Sequence, residues 1–352
     1  MTATVYELLF RTVLRRMDPE RAHHLAVAVI RAIPALGLTG LVRRFTRPDP
    51  ALAVDALGLR FESPFGMAAG FDKDARSIRG LWALGFGHVE IGTVTAIAQD
   101  GNPTPRLFRL VDDRAVINRM GFNNRGAAAA AERVARQRRH RHRPIIGANI
   151  GKSRVVAVED AVADYRVSAR LLAPVADYLA VNVGSPNTPG LRGLQDEALL
   201  RPLLVAVLEE AGSTPVLVKI APDLDDEAID AVCALAVELG LGGIIATNTT
   251  IGREGLVTDP AVVEAAGAGG LSGAPLAERS LAVLRRVRAA VPADLCVIAV
   301  GGIDTAEDAA ARLEAGATLV QGYTAFLYRG PTWARQVTRG LAALARRGAP
   351  SH

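Results

Sequence analysis

The 352-residue sequence predicts a (β/α)8 TIM barrel preceded by a small N-terminal helical hairpin. From about residue 64 onward, eight short runs of β-forming residues alternate with helical stretches, which favours a closed barrel. Most runs are apolar on both faces, as a parallel sheet covered by helices requires. The first run is not followed by the G-x-G-x-x-G of a doubly wound dinucleotide fold. The predicted strands are 65–70, 89–94, 145–151, 178–184, 216–221, 243–249, 296–302 and 319–325.

Two segments precede the predicted barrel. Residues 51–64 are expected to form a short β-hairpin that closes the barrel floor. Residues 1–45 are expected to form two helices joined at Asp18-Pro19, with Asp18 as the N-cap and Pro19 as the first helical residue. Their apolar residues recur at helical spacing beside many arginines, which fits either a hairpin packed on the barrel or an amphipathic pair lying on a membrane. We therefore divide the chain into a hairpin, residues 1–45, and a barrel, residues 46–352.

Charge and composition narrow the partners that we expect. The net charge is +5, and the first fifty residues hold eight arginines against four acidic residues, so they contribute most of the excess. A second basic stretch, residues 136–143, contains no Phe, Tyr or Trp on which a base could stack. Because it lies between a predicted helix and a predicted strand, we interpret it as a solvated connector and expect no nucleic-acid partner.

Cysteine usage and hydropathy indicate the compartment. Cys233 and Cys296 lie in separate apolar runs, as core residues of a protein in a reducing compartment do. The six histidines lack ligand spacing, so we expect no metal site. No apolar run approaches the roughly 20 residues that a membrane span needs, and the start lacks the pattern of a signal peptide. We expect a chain that is neither secreted nor transmembrane.

Polar or glycine residues end all eight predicted strands, where a (β/α)8 barrel carries its active site. Gly301, Gly302 and Thr324 follow strands seven and eight, where such barrels commonly bind a phosphate, and Gly273 could join them. The remaining residues offer donors and acceptors that suit a planar ligand edged with N–H and C=O groups, such as a flavin or a pyrimidine. A lysine near a flavin would stabilise its anionic reduced ring. These residues are Lys73, Asn118, Asn149, Asn182, Asn187, Lys219 and Asn248.

Ten stretches of the sequence, above all NRMGFNN and VNVGSPNTPGLR, resemble those of dihydroorotate dehydrogenases, in particular the membrane-associated, quinone-reducing class of that family. NRMGFNN and VNVGSPNTPGLR are highly specific. The resemblance implies an FMN-containing barrel that oxidises dihydroorotate to orotate in pyrimidine biosynthesis, with a quinone as the electron acceptor. The other stretches are MAAGFDKDA, EIGTVT, GNPTPRLFRL, LVKIAPDL, ATNTT, GGLSG, VGGI and QGYTAF.

The resemblance gives Ser185 the catalytic role. In this class a loop serine takes the proton from C5 of dihydroorotate while a hydride leaves C6, and the soluble class has a cysteine at that place. A hydroxyl is a poor base at neutral pH. The resemblance therefore implies that Lys73 and the ligand's own carbonyls stabilise the enolate, and that water with either Thr188 or Thr249 relays the proton.

The resemblance also implies two neighbouring sets of ligand contacts. Orotate would contact Lys73, Asn118, Arg119, Met120, Gly121, Phe122, Asn182, Asn187, Asn248 and Thr249. FMN would contact Ala69, Gly70, Phe71, Asp72, Lys73, Thr93, Asn149, Asn182, Lys219, Thr247, Gly273, Gly302, Tyr323 and Thr324. For Lys219, a barrel-core lysine paired with a carboxylate is the alternative role.

A quinone tunnel is implied at His23, Arg109 and Tyr323, although His24 leaves open which histidine faces it. Residues 1–45 would then dock a monomer peripherally on the cytoplasmic side of a bacterial cell membrane. Within the family, the alternative is the soluble class that uses fumarate or NAD, which Ser185 and the hairpin disfavour. A non-redox phosphate-binding barrel enzyme would keep the terminal glycines without needing both lysines and the asparagines.

Overall fold

The computed structural model describes residues 5–348. In this part the helices are α1 (Val5–Thr12), α2 (Pro19–Ala35), α3 (Thr39–Thr46), α4 (Ile78–Ala83), α5 (Ala127–Arg138), α6 (Ala161–Leu172), α7 (Glu197–Ala211), α8 (Asp226–Glu238), α9 (Pro260–Ala266), α10 (Ala277–Ala290), α11 (Ala306–Glu314), α12 (Thr324–Arg329) and α13 (Trp333–Gly348). The strands are β1 (Val54–Ala56), β2 (Leu59–Phe61), β3 (Phe65–Met67), β4 (His88–Val94), β5 (Leu107–Leu110), β6 (Ala115–Asn118), β7 (Ile145–Ile150), β8 (Tyr178–Asn182), β9 (Val216–Ile220), β10 (Gly243–Ala246), β11 (Gly270–Gly273), β12 (Cys296–Val300) and β13 (Leu319–Gly322). Short 3-10 helices occupy Leu14–Arg16, Pro50–Leu52, Leu191–Gln195 and Ala274–Leu276.

Eight parallel strands close into the predicted barrel in the order β3-β4-β7-β8-β9-β10-β12-β13, and β13 pairs back to β3. The predicted (β/α)8 fold is confirmed. Because successive side chains of a strand point to opposite faces, Val216 and Val218 of β9 pack outward into the helix-covered core, whereas Leu217 packs in the interior cluster. By the same alternation Lys219 points into the barrel, toward its C-terminal end.

The hairpin β1–β2 closes the N-terminal end of the barrel, as predicted. Its two strands pair antiparallel through a turn at Leu57 and Gly58, which both have positive φ, as a two-residue hairpin turn of type I′ requires. Phe61 is fully buried and lies edge-on against the His88 ring, with 5.3 Å between ring centroids. Truncating such a buried aromatic to Ala typically costs about 3–5 kcal/mol.

The N-terminal helices pack against the barrel. The prediction for α2 is confirmed, because Asp18 Oδ1 accepts a hydrogen bond of 2.9 Å from Arg21 N and Pro19 is the first helical residue. Ile30 of α2 is buried against Gly80 of α4, and a Cβ at position 80 would lie 2.2 Å from the Ile30 carbonyl oxygen. A side chain at position 80 would therefore push α2 away from the barrel.

A third N-terminal helix, α3, follows the predicted pair, so the prediction of two helices was incomplete. Gly37, with φ of 70°, separates α2 from α3. The glycines of the ALGLTG segment, residues 35–40, suggest a loop, but packing outweighs their low helix propensity. The Arg43 guanidinium lies over the Trp82 ring at 4.3 Å, and Thr46 Oγ1 donates a hydrogen bond of 2.5 Å to the Ala83 carbonyl.

The outward face of α1–α3 and their connections is apolar and exposed. Within residues 5–348, no single helix has the length and hydropathy of a membrane span; α2 and α3 would reach them only together, and they are bent by 107°. The exposed apolar side chains are Val5, Leu8, Leu9, Val13, Leu25, Val29, Leu36, Leu38, Leu41 and Phe45.

A three-stranded antiparallel sheet, β5–β6–β11, was not predicted. Asn118 of β6 pairs with both Leu107 of β5 and Gly270 of β11. The GGLSG segment was not among the predicted strands, but it forms one here because β6 supplies a partner that its glycine-rich sequence does not reveal. This sheet carries Asn118 to the C-terminal end of the barrel, where Asn118 lines a cavity with the strand ends, whereas Arg109 of the same sheet lines a second cavity.

Several barrel strands end two or three residues earlier than predicted. Strand β3 stops at Met67 and strand β12 at Val300. Gly70 and Gly301 lie just beyond these ends at φ of 104° and 118°, where the backbone turns away from the sheet. The polar residues expected at strand ends therefore lie partly on loops above the barrel.

Candidate active site

A cavity opens at the C-terminal ends of the barrel strands, and most of the predicted ligand contacts line it. Its walls are the strand ends, the loops that follow them and the β5–β6–β11 sheet. Of the residues predicted to contact FMN, the lining includes Ala69, Gly70, Lys73, Thr93, Asn182, Lys219, Thr247, Gly273, Gly302, Tyr323 and Thr324. Of those predicted for orotate or catalysis, it includes Asn118, Met120, Gly121, Phe122, Ser185, Asn187, Asn248 and Thr249.

A chain of hydrogen bonds runs across the base of this cavity. Thr93 Oγ1 donates to Asn149 Oδ1 at 2.6 Å, and Asn182 Nδ2 donates to Thr93 Oγ1 at 2.9 Å. Asn248 Nδ2 in turn donates to Asn182 Oδ1 at 2.8 Å. Because each bond fixes the orientation of an amide, the asparagines present defined donors and acceptors to a ligand. Asn149 itself lies below the lining, so its expected contact with FMN would act through Thr93.

The position of Lys219 is compatible with both of its predicted roles. It is buried, it lines the cavity, and its Nζ lies 3.6 Å from Glu90 Oε1 in the barrel interior. A cation is therefore held at the cavity floor with a carboxylate directly beneath it. No signal at the strand ends indicates Glu90, because this residue sits in the middle of β4.

Ser185 lies in the loop after β8, with its side chain buried in the cavity wall. Its Oγ accepts a hydrogen bond of 3.3 Å from Asn187 N, and Asn187 Nδ2 donates to Asn118 Oδ1 at 3.1 Å. Arg192 fastens the loop by donating to the Gly184 carbonyl at 3.1 Å and the Thr249 carbonyl at 2.9 Å. The serine is thus held beside the predicted orotate contacts.

The two relay candidates occupy different surroundings. Thr249 lines the cavity, and its backbone N–H donates to Asn248 Oδ1 at 2.8 Å. Thr188 is buried three residues after Ser185, outside the cavity lining. Gly270 packs so closely that a Cβ there would lie 1.9 Å from Thr249 Oγ1, so only glycine leaves room for this hydroxyl. Both threonines remain candidates.

Lys73 enters the cavity from the loop after β3. Its Nζ donates to the Gly70 carbonyl at 3.0 Å and contacts Met120 Sδ at 3.4 Å. Burial, together with the nearby Arg106, lowers the pKa of Lys73 to about 8. An anionic ligand beside this buried lysine would stabilise its charged form. The predicted contact with substrate and flavin would provide such a ligand.

The glycines predicted for phosphate binding are needed for steric reasons. At Gly302, with φ of 64°, a Cβ would lie 2.1 Å from Ala277 Cα. At Gly273, with φ of 107°, it would lie 2.4 Å from the Arg114 carbonyl oxygen. Thr324 begins α12 beside them and donates to Ser272 Oγ at 2.8 Å. Backbone and small side chains therefore converge at this end of the cavity, as an oxyanion site requires.

Besides Asn149, three predicted contacts have their side chains outside the cavity lining. Asp72 is buried and accepts hydrogen bonds from Arg76 N and Ser77 N, and burial raises its pKa to about 6. Its role is to hold the loop that carries Lys73. Arg119 donates to the carbonyls of Pro105 and Ala266, so its guanidinium is held outside the cavity lining. The third, Phe71, lines a separate apolar cavity.

Arg114 and Ser272 line the end of the cavity where phosphate binding is predicted, but they were not predicted themselves. Arg114 pairs with Asp304 at 3.1 Å, and its side chain is 45% exposed. Both residues belong to the β5–β6–β11 sheet or its turn, so no barrel-strand pattern points to them. To predict that these two residues line the cavity, one would have to know that the GGLSG segment pairs with β6.

A second, mainly apolar cavity lies between α1, α2 and the barrel. His23 lines it and is buried, whereas His24 is exposed, which settles which histidine faces inward. Burial lowers the pKa of His23 to about 3, so its ring is neutral, and its Nδ1 has no hydrogen-bond partner among the described residues. Its ring contacts Phe71 edge-on at 5.0 Å.

The two cavities adjoin. Leu107 lines both of them, and the Phe71 ring of the second lies 5.8 Å from the Tyr323 ring of the first. Arg109 lines the apolar cavity, and its guanidinium donates to the carbonyls of Leu14, at 2.7 Å, and Met17. Of the three predicted tunnel residues, His23 and Arg109 thus lie in the apolar cavity, and Tyr323 lies at its inner boundary.

Comparison with known proteins identifies the family. A family model described as dihydroorotate dehydrogenase matches residues 51–344. The chain belongs to the dihydroorotate dehydrogenase family. Proteins named dihydroorotate dehydrogenase (quinone) from Leifsonia xyli subsp. xyli and Clavibacter sepedonicus are 72% and 69% identical to it, over 97% of this chain and 99% of theirs. The crystal structure of DHODH in complex with ferulenol from Eimeria tenella is 36% identical, covers 98% of this chain and 96% of that one, and gives a TM-score of 0.86.

These comparisons confirm the family predicted from NRMGFNN and VNVGSPNTPGLR. The match with the Eimeria tenella dehydrogenase covers 98% of the chain, so it takes in most of the N-terminal helices as well as the barrel. Both bacterial relatives are named dihydroorotate dehydrogenase (quinone), and the match covers nearly their whole length. The similarity therefore extends to the part of the chain that forms the apolar cavity.

Proposed function

We propose that this protein oxidises dihydroorotate to orotate, with bound FMN and a quinone as the electron acceptor, in pyrimidine biosynthesis. The observation that carries the proposal is the pair of adjoining cavities, one lined by many amide, hydroxyl and ammonium side chains (the polar cavity) and one mainly apolar, with Leu107 in both walls. A polar substrate and a hydrophobic acceptor need such separate sites on either side of a shared redox group. The names of the relatives support the same reaction.

The polar cavity suits FMN at its floor and phosphate end. Gly273, Gly302 and Thr324 would bind the phosphate, because all three line this end of the cavity and Thr324 begins α12 there. Thr93, Asn182 and Lys219 would hold the ring, and the Lys219 ammonium would stabilise negative charge on it. FMN supplies the chemistry that no side chain offers, since it accepts a hydride and passes electrons on singly or in pairs.

Orotate and dihydroorotate would bind above the flavin, against Asn118, Asn187 and Asn248. The Asn187–Asn118 hydrogen bond of 3.1 Å joins the serine loop to the β6 end, so substrate contacts and base move as one unit. Ser185 Oγ accepts the C5 proton and passes it to the relay, while Lys73 stabilises the negative charge that develops on the ligand. The hydride from C6 would pass to the bound FMN, and the electron pair of the broken C5–H bond would form the C5=C6 double bond.

The quinone would enter through the apolar cavity, with His23 and Arg109 along its path. We also propose that the exposed apolar face of α1–α3 docks the protein peripherally on the cytoplasmic side of the cell membrane, as a monomer. Its arginines would face anionic head groups. A hydrophobic quinone could then pass from the bilayer to the flavin edge without crossing water.

Two half-reactions measured on the purified protein test this proposal. The protein should be yellow, dihydroorotate should bleach the flavin bands anaerobically, and a quinone should restore them while fumarate and NAD do not. Protein purified without a flavin spectrum would refute the redox function. Reoxidation by fumarate or NAD at the quinone rate would instead favour the soluble class.

A further inference from the structure

Glu90 is a carboxylate at the centre of the barrel, and it is completely buried. Its Oε1 accepts from Asn149 Nδ2 at 2.9 Å and lies 3.6 Å from Lys219 Nζ. Its Oε2 accepts from the Tyr178 hydroxyl at 3.1 Å and from Gln321 Nε2 at 3.0 Å. All four neighbours are donors, which is the surrounding that an ionised carboxylate, an acceptor only, requires.

The network around Glu90 keeps these donors in place. Burial and the neighbouring Glu90 raise the pKa of Tyr178 well above its ordinary value, so the phenol stays protonated and donates. Gln321 also donates to the Tyr178 oxygen, at 3.1 Å. The carboxylate therefore has a fixed position, one layer below the cavity floor.

Only part of this network faces the cavity. Lys219 and Thr93 line the cavity, whereas Glu90 and Asn149 do not. The Lys219 ammonium thus lies between the Glu90 carboxylate and the place proposed for the flavin ring. In the low dielectric of a barrel interior, the Glu90 carboxylate and the Lys219 ammonium interact strongly with each other. Both also interact strongly with any negative charge that forms on a ligand in the cavity.

We propose that Glu90 is a positioning residue that fixes Lys219 and offsets part of its charge, and thereby lowers the reduction potential of bound FMN. The inference rests on the proposed function and deepens it. With Glu90 ionised, the reduced anionic flavin meets an ion pair instead of a bare cation. Its reduction is then less favourable, and its reoxidation by the quinone is more favourable, than Lys219 alone would make them.

Glu90→Gln tests this through the potential of the bound flavin. The amide keeps the shape of the side chain and removes its charge. The midpoint potential of the FMN should become more positive, and sulfite, which adds to oxidised flavins and leaves negative charge on the ring, should bind tighter by on the order of tenfold or more. Lys219→Met should shift both readings in the opposite direction, and Glu90→Asp should stay near wild type.

A merely structural role predicts a different result. Glu90→Gln protein that is fully loaded with FMN and has the wild-type potential and sulfite affinity would overturn the inference. Should Glu90→Gln fail to hold FMN, Tyr178→Phe decides instead. This variant removes the hydroxyl that donates to Glu90, so the negative charge of the carboxylate acts more strongly on Lys219 and on the flavin. The midpoint potential of the FMN should then become more negative. An unchanged midpoint potential would refute the role of Glu90. Wild-type protein that holds no FMN would refute the proposed function itself.

Discussion

The hydroxyl of Ser185 accepts one hydrogen bond, from Asn187 N, and within the described structure no His or Cys side chain partners it. As a base it therefore depends on the enolate being stabilised by other groups. Ser185→Ala should leave FMN and orotate bound and slow flavin reduction by dihydroorotate roughly 10²–10⁴-fold. Anaerobic stopped-flow absorbance measures this rate, and reduction at the wild-type rate would remove Ser185 from the mechanism.

Matched variants of the same experiment identify the relay. Thr188→Val and Thr249→Val each remove one hydroxyl near Ser185 and preserve the shape of the side chain. The variant that slows flavin reduction without weakening orotate binding marks the relay residue. Ser272→Ala serves as the control, because its hydroxyl lies at the phosphate end of the cavity and bonds to Thr324.

At the residue scale, the sequence could predict a cavity-lining residue when that residue lies at or just after the end of a barrel strand. Asn182, Lys219 and Ser185 follow runs of apolar β-formers, so their places in the cavity were predictable. Arg114 enters from a hairpin turn, and no strand-end pattern marks it. Glu90 did leave a signal, since a lone carboxylate inside a buried run needs partners, but the sequence could not show that Lys219 is one of them.

At the scale of elements, the segment before β5 joins the N-terminal helices to the active-site loops. Arg106 pairs with Glu20 of α2 at 2.6 Å and donates to the Asp100 carbonyl at 2.7 Å and to the Asn102 carbonyl at 2.9 Å. Asn102 Nδ2 donates in turn to the carbonyl of Asn187 at 3.3 Å. This connection was not predictable, because its partners lie up to 86 residues apart and on different kinds of elements.

Glu20→Gln should therefore affect the quinone side more than the substrate side. It leaves a largely buried Arg106 without its carboxylate, which costs roughly 1–3 kcal/mol, and the start of α2 should become less protected from hydrogen exchange. Flavin reoxidation by a quinone should slow more than flavin reduction by dihydroorotate. Equal slowing of both half-reactions would contradict this, and Glu132→Gln, which breaks an exposed pair with Arg136, serves as the control.

At the scale of the whole molecule, the exposed apolar side chains are concentrated on the N-terminal helices. Leu8 is 60% exposed, Leu36 is 70% exposed and Phe45 is 64% exposed, and none of them lines the apolar cavity. A fully buried side chain of this kind gains about 1.5–3 kcal/mol over an exposed one. Several of them entering a bilayer surface would give reversible peripheral binding without a span.

The triple variant Leu8→Ser, Leu36→Ser and Phe45→Ser should abolish most binding to anionic vesicles without disturbing the fold, because all three side chains already face solvent. Dihydroorotate should bleach its flavin at the wild-type rate, since the residues proposed for that step line the other cavity. Reoxidation by a long-chain quinone in vesicles should fall sharply, whereas a short, water-soluble quinone should react as before, because the apolar cavity is intact.

The control replaces Val155 and Val257, which are 79% and 74% exposed on the barrel, by Ser. If the control loses vesicle binding to the same extent, or if the triple variant still co-sediments and turns over long-chain quinone at the wild-type rate, the apolar face of the helices does not dock the protein on the membrane.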